Sequence, residues 1–537
     1  MHDRLHAGES GARGRPEAAG AGGRPVVALV SLGCVKNLVD SEVMLARVAE
    51  AGAIISADES AADTIVVNTC GFLAAARDEA LQVLRELAER KRRGALRRIV
   101  VAGCLVQRDA YKLLEAVPEI DALVGVHNRQ DLARAVCGPG TQLATRPAGQ
   151  VPEPEGEKLE VSGRGTPRAA ARARSAGPAR RGRPGARSRA VDLYLGDYRL
   201  RPWSDQGRLR LTPRHYAYVR ISEGCNQKCT FCTIPAIRGP LHSKRPEQLV
   251  AECRELIADG ARELILIGQD TTSYGVDIGY EPGLAGLLRK LDAACDGAKW
   301  LRLMYAYPSV FTDAMIDAIA ECERVVKYID LPLQHINDRL LRAMHRRVTR
   351  AQTEALLERI RRRIPGVTIR TTFMVGFPGE TEAEFAELLE FVRGFGFDAV
   401  GAFRFSPEPG TPAARMNNQL DEAIRQERYQ RLLLTQQQVA FAAARRRIGQ
   451  VFQVLVDGPR ERRREDASGP AGREDRRGER VFVARHSGQA PEVDGVCLLP
   501  TSAARGRGLA PARFLTVRCV ASDGYDLIVA PAGDPPT

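Results

Sequence analysis

The chain has 537 residues, 44% of them hydrophobic, which at about 150 residues per domain is enough for three or four buried cores. No apolar run reaches the roughly 18 residues of a membrane helix and the opening MHDRLHAGESGARGRPEAAG has no apolar export segment, so a cytoplasmic protein without membrane contact is expected. The net charge of +13 suggests a nucleic-acid partner until it is located: nine arginines and no acid lie between Arg164 and Arg189, and the rest of the chain is only mildly basic.

Residues 1–23 are too polar and glycine-rich to order themselves. In the first block, 24–137, three β-branched runs each end in a cysteine: VVALVSLGC at Cys34, TIVVNTC at Cys70 and RIVVAGC at Cys104. Each is followed by a helical pattern, so they read as parallel strands of an open α/β sheet with the cysteines at their carboxyl ends, where such sheets place their functional groups. Residues 138–190, rich in Gly, Pro, Ala and Arg, read as a flexible linker.

The second block, 211–449, alternates strand and helix six times, through YVRIS, ELILIGQ, WLRLMYA, VKYIDLPL, TIRTTFMVGF and AVGAFRFS. Six units predict a partial (β/α)6 barrel with its chemistry at the strand C-termini. The third block, 450–537, has about five short strands and predicts a small antiparallel β-barrel of oligonucleotide-binding type. It carries 13 Lys and Arg against 12 Asp and Glu, less basic than a tRNA-holding barrel should be. Glu492 and Asp494 are therefore expected to face a basic protein.

Twelve cysteines are too few to staple a chain of this length, so clustered thiols point to metal or catalysis. Cys225, Cys229 and Cys232 in GCNQKCTFC follow the first strand of the second block. Three thiolates in one loop suit three irons of a 4Fe-4S cluster and leave the fourth iron open. Zinc is the alternative, but a structural zinc takes four protein ligands, and His215 and His242, the nearest candidates, are about ten residues away.

The Cys225-x3-Cys229-x2-Cys232 spacing, with Phe231 before the last cysteine, resembles the radical S-adenosylmethionine signature. That resemblance implies S-adenosyl-L-methionine on the open iron and its cleavage to a 5′-deoxyadenosyl radical. Cys34 in SLGCVKNLVDSE, Cys70 in VVNTCGF and Cys104 in AGCL resemble the N-terminal domain of methylthiotransferases, in which such a triad holds a second 4Fe-4S cluster that carries sulfur. ISEGCN, PLQHIND, RTTFMVGFPGETEAEF and, in a TRAM-like third block, APEVDG are similar to the branch acting on the twelfth protein of the small ribosomal subunit. The resemblance implies methylthiolation of an aspartate β-carbon of that protein, with a low-potential flavodoxin or ferredoxin as electron donor. A tRNA-modifying relative is the alternative, and a non-catalytic iron-sulfur carrier a more distant one.

Cys253, Cys295 and Cys322 fall at helical core spacing, Cys497 and Cys519 lie in apolar strands and Cys137 ends a helix; all six read as structural. GQD at Gly268 to Asp270 and GFPGE at Gly376 to Glu380 suit cofactor approach and ordinary turn chemistry equally. His335 reads as a satisfied structural histidine, and KRRGALRR, Lys91 to Arg98, as a solvated helix end.

Overall fold

The computed structural model describes residues 24–138, 191–196, 203–461, 480–503 and 508–532. The expected disordered start, nearly all of the arginine-rich linker and most of the charged insertion between Glu461 and Arg480 lie outside the described residues.

The β-branched runs of the first block form neighbouring parallel strands, Val26–Ser31, Thr64–Thr69 and Arg98–Gly103. Ile54–Ile55 extends this sheet on one side, and Ala122–Gly125 and then Asp192–Tyr194 on the other. Side-chain alternation divides the core between two helical layers. Ile65, Val67, Ile99 and Val101 meet Ala74–Arg92 and Cys104–Ala116, whereas Val27, Val66 and Val100 meet Val35–Glu50 and Leu132–Cys137.

The expected boundary at residue 137 moves. Asp192–Tyr194 pairs with Ala122–Gly125, and Arg98 holds Asp192 at 2.6 Å, so the arginine-rich stretch is inserted within the first domain instead of joining it to the second. Three residues are too few to show periodicity, and so no strand is visible there in the sequence.

All six expected strands of the second block form one parallel sheet in chain order: Tyr216–Arg220, Glu263–Ile267, Trp300–Leu303, Val325–Asp330, Thr368–Val375 and Ala399–Arg404. Its outer face packs on helices through Leu249, Leu288, Ile316, Leu357 and Leu388. Cys253, Cys295 and Cys322 are buried in that layer. Its inner face carries Tyr216, Tyr218, Ile265, Trp300, Met304 and Tyr328, and this face is covered by Val39 of the first domain and by Leu455 and Ala490 of the third. All three domains therefore meet inside the open barrel.

The third domain is a closed barrel of Val451–Glu461, Arg480–His486, Cys497–Pro500, Asp526–Pro531 and Phe514–Asp523, in that order around the barrel. Four of its pairings are antiparallel, but Cys497–Pro500 runs parallel to Asp526–Pro531 and closes the ring. A buried ion network ties it to the second domain. Glu263 accepts from Arg302 Nε at 2.7 Å and from Arg485 Nη1 at 2.6 Å, and Arg485 continues to Asp457, which also meets His215 Nε2 at 2.8 Å.

Asp494 corrects another expectation, and Glu492 does so only in part. The Glu492 carboxylate accepts from Tyr216 Oη at 2.9 Å, and Asp494 accepts from Tyr328 Oη and the Ala490 amide, each at 2.8 Å, with its other oxygen 3.5 Å from Arg370 Nε. These acids join the third domain to the barrel interior. Asp494 is turned inward and offers no free acidic surface, whereas Glu492 stays exposed beside Tyr216, a distinction that net charge does not reveal.

Candidate metal centre

Parallel pairing brings the ends of three strands together, and two glycines show how closely the loops then pack. Gly33 has φ +101° and a Cβ there would lie 2.7 Å from Cys70 Cβ; a Cβ on Gly71 would lie 2.7 Å from the Cys104 carbonyl oxygen. Cys34, Cys70 and Cys104 are thus on one edge, exposed, half-buried and buried respectively. Asn37 links the loops: its Nδ2 donates to the carbonyls of Leu32 at 3.1 Å and Thr69 at 3.0 Å, and its Oδ1 lies 3.5 Å from Cys104 Sγ. Burial pushes the Cys104 thiol up to about 12 and also raises Cys70.

The second set stands in the loop after Tyr216–Arg220. Ser222–Glu223 pairs with His242–Ser243, and Gly224, at φ +73°, fits because a Cβ would collide with the Pro240 carbonyl. The Gln227 amide donates to Cys225 Sγ and the Ile234 amide to Cys232 Sγ, each at 3.4 Å. Arg346 Nη1 is 3.7 Å and Tyr307 Oη 3.9 Å from Cys229 Sγ. Burial raises both Cys225 and Cys232 to about 12. Donors aimed at sulfur suit a group whose thiolates carry negative charge, and thiols raised this far must release protons when iron binds. Among the described residues no Cys, His, Asp or Glu side chains gather as the ligand set of a single ion.

GQD and GFPGE hold the loops in place. Asp270 accepts from Gln227 Nε2 of the cysteine loop at 2.9 Å, and Gln269 Nε2 donates to Glu223 at 2.6 Å. Glu380 is buried between His335 Nε2 at 3.1 Å and Arg428 Nη1 at 2.8 Å, which makes His335 the satisfied structural histidine expected. Phe231 packs beside Leu340, Met344 and Phe377. The KRRGALRR helix end is paired, with Arg92 and Arg93 on Glu89 and Lys91 on Asp121.

Arg238 is the residue whose importance the sequence hides. It lies six positions after Cys232, is 2% exposed, and reaches across to the first domain. Its Nε is 3.3 Å from Cys104 Sγ, its Nη2 donates to Asn37 Oδ1 at 2.6 Å and Asp40 at 2.9 Å, and its Nη1 donates to Glu223 at 2.9 Å. Arg220 joins the same carboxylates, Asp40 and Glu223, at 2.6 Å each. Burial would raise Glu223, but Arg238, Arg220 and Arg129 outweigh it and hold the carboxyl well below the ordinary range. A buried charge network therefore runs from Cys104 to Glu223, at the start of the loop that carries Cys225, Cys229 and Cys232.

Lys36, two residues after Cys34, also points inward. Its Nζ lies 2.8 Å from the centre of the Tyr305 ring. Burial pulls it down to about 7, against Cys34 and Asp330, which favour the charged form. KNLVDSE contains Lys36, Asn37 and Asp40, but nothing in its spacing shows which of these turn toward the cysteines.

Three family matches follow the three domains: the Uncharacterized protein family UPF0004 over residues 26–125, the Radical SAM superfamily over 219–392 and the TRAM domain over 448–531. The chain is similar to the ribosomal protein uS12 methylthiotransferase RimO of Desulforamulus reducens, 39% identical over 94% of this chain and 99% of the relative. Its similarity to the RimO of Geobacter sulfurreducens is 38% over 94% and 97%. Among solved structures, the radical S-adenosylmethionine methyltransferase TsrM of Kitasatospora setae covers 73% of this chain and 75% of its own, at 18% identity and a TM-score of 0.47. Sequence identity over nearly the whole of both chains decides the matter: this chain belongs to the RimO family of radical S-adenosylmethionine methylthiotransferases.

Proposed function

We propose that the chain methylthiolates the β-carbon of an aspartate in ribosomal protein uS12, with Cys225, Cys229 and Cys232 holding the cluster that binds S-adenosylmethionine and Cys34, Cys70 and Cys104 holding the auxiliary cluster. The observation that carries this reading is Arg238, which follows Cys232 by six residues, lies 3.3 Å from Cys104 Sγ and pairs with Glu223 at the start of the Cys225 loop, so that the loops carrying the two thiol sets meet at one buried side chain. When bound, the clusters and two molecules of S-adenosylmethionine supply sulfur, a methyl group and the radical that removes hydrogen.

The protein's own residues orient and shield that chemistry. Amides of Gln227 and Ile234 and the Arg346 guanidinium face the sulfurs of Cys225, Cys232 and Cys229, stabilising their charge. Asn37 and Arg238 fix the loops of Cys34, Cys70 and Cys104 beside them. The barrel interior, covered by Val39, Leu455 and Ala490, keeps water from a reactive intermediate. No helix among the described residues is long and apolar enough to cross a membrane. A cytoplasmic site of action, where ribosomes and a low-potential flavodoxin or ferredoxin are available, suits the reading.

Anaerobically reconstituted protein, S-adenosylmethionine and a reductant are to be incubated separately with uS12 and with tRNA, and the products weighed by mass spectrometry. A methylthio addition on uS12 alone is expected. Addition to tRNA alone would overturn the substrate and leave the cluster chemistry standing.

A further inference from the structure

Lys36 is 5% exposed, yet its ammonium makes no hydrogen bond or ion pair with any described residue; it lies over the Tyr305 ring, with Cys34 and Asp330 favouring its charge only from beyond ion-pair distance. Burying an unpaired charge is costly, and native proteins rarely leave one without a partner of opposite sign. The neighbouring cations are all engaged. Arg238 is held by Asn37, Asp40 and Glu223, Arg370 by Asp330 at 2.8 Å, and Arg346 by the Pro332 carbonyl.

The position of Lys36 is as distinctive as its lack of a partner. It starts from the helix that follows Cys34, the exposed member of the auxiliary set, so the ammonium belongs to the residue two positions inside that cysteine. The ring it covers belongs to the segment after the Trp300–Leu303 strand. Two residues further along that segment, the Tyr307 hydroxyl is 3.9 Å from Cys229 Sγ of the other set. Tyr305 itself is fixed, with its amide donating to Asp330 Oδ2 at 3.0 Å and its carbonyl accepting from the Thr271 amide at 3.1 Å. An anion drawn to Lys36 would therefore sit between the two cysteine sets.

We infer that Lys36 receives the carboxylate of the substrate's aspartate and so sets both the position of its β-carbon and the preference for an acidic side chain. The inference rests on the uS12 reading above. One methylene separates the carboxylate from the peptide backbone, so anchoring the carboxyl group fixes the carbon beside it. A charge-assisted hydrogen bond from a buried ammonium supplies both affinity and selection against the amide.

The test uses full-length, cluster-loaded protein, and uS12 in which the modified aspartate, located by mass mapping of the wild-type product, is replaced by Asn. Calorimetry compares the two forms of uS12. Wild type is expected to bind the Asp form about ten-fold or more tightly than the Asn form, the weight of one charged hydrogen bond. In Lys36→Met and Lys36→Gln, whose iron content and cluster spectra report their integrity, the two forms are expected to bind about equally. Equal binding of the two forms by wild type would overturn the inference even if neither variant loads iron. An Asp preference surviving in Lys36→Met would also overturn it, as would a variant whose only change is a higher KM for S-adenosylmethionine, because that would assign Lys36 to the cofactor's carboxylate. Failure of wild type to methylthiolate uS12 at all would instead remove the substrate assignment on which the inference rests.

Discussion

Removing the guanidinium of Arg238 would leave Asp40 and Glu223 sharing Arg220 and Arg129 alone, and would take the donor away from Cys104. Arg238→Met is therefore expected to lower stability by about 3–5 kcal/mol in denaturant unfolding, the usual result of breaking a buried pair. Arg238→Lys keeps the charge without the planar fork, and is expected to reduce methylthiolation by about 10- to 100-fold, as second-shell changes do. Gly224→Ala is expected to cost the radical cluster and about half the iron, because φ +73° and the Pro240 carbonyl leave no room for a Cβ; iron analysis checks it. The six cysteines were legible in the sequence because three share one loop and three end similar strands. Arg238 was not, since its contact with Cys104 spans 134 residues and only the folded barrel brings them together.

At the scale of elements, the third domain depends on the buried Glu263, Arg302 and Arg485. Burial alone would raise the Glu263 carboxyl, but Arg485 and Arg302 outweigh it and hold it below its ordinary 4.5. Because its value in the fold is depressed, its stabilisation is fully present above 4.5 and is lost as pH falls through the lower folded value. Unfolding measured across acid pH should show wild type losing more stability below 4.5 than Glu263→Gln does. At neutral pH that variant should already be about 3–5 kcal/mol weaker, with two buried guanidinium groups short of a carboxylate. Asp494→Lys places a second cation beside Arg370 and should likewise lower stability. The strands of the second and third blocks were legible from their apolar runs, and so was most of their pairing direction. The exception is the parallel closure of Cys497–Pro500 on Asp526–Pro531, which depends on the path of the whole barrel.

Across the whole molecule, the barrel's inner face is where the domains converge. The sequence shows three domains but not this convergence, because Val39, Tyr218, Leu455 and Ala490 look like ordinary core residues of separate units. In sequence the arginine-rich segment lies between the helix Leu132–Cys137 and the strand Asp192–Tyr194, both of which pack in the first domain. Shortening it should therefore leave both clusters and most activity intact, at a closure term of only about 0.6 kcal/mol per doubling of length. The most direct test of two clusters with separate tasks is iron content and S-adenosylmethionine cleavage, measured together under strict anaerobiosis. Wild type should bind about eight irons. Replacement of Cys34, Cys70 and Cys104 by Ala should leave about four irons and preserve cleavage while methylthiolation is lost, and replacement of Cys225, Cys229 and Cys232 should leave about four irons and abolish cleavage. Only about four irons in wild type, or loss of cleavage in the first variant, would contradict the account.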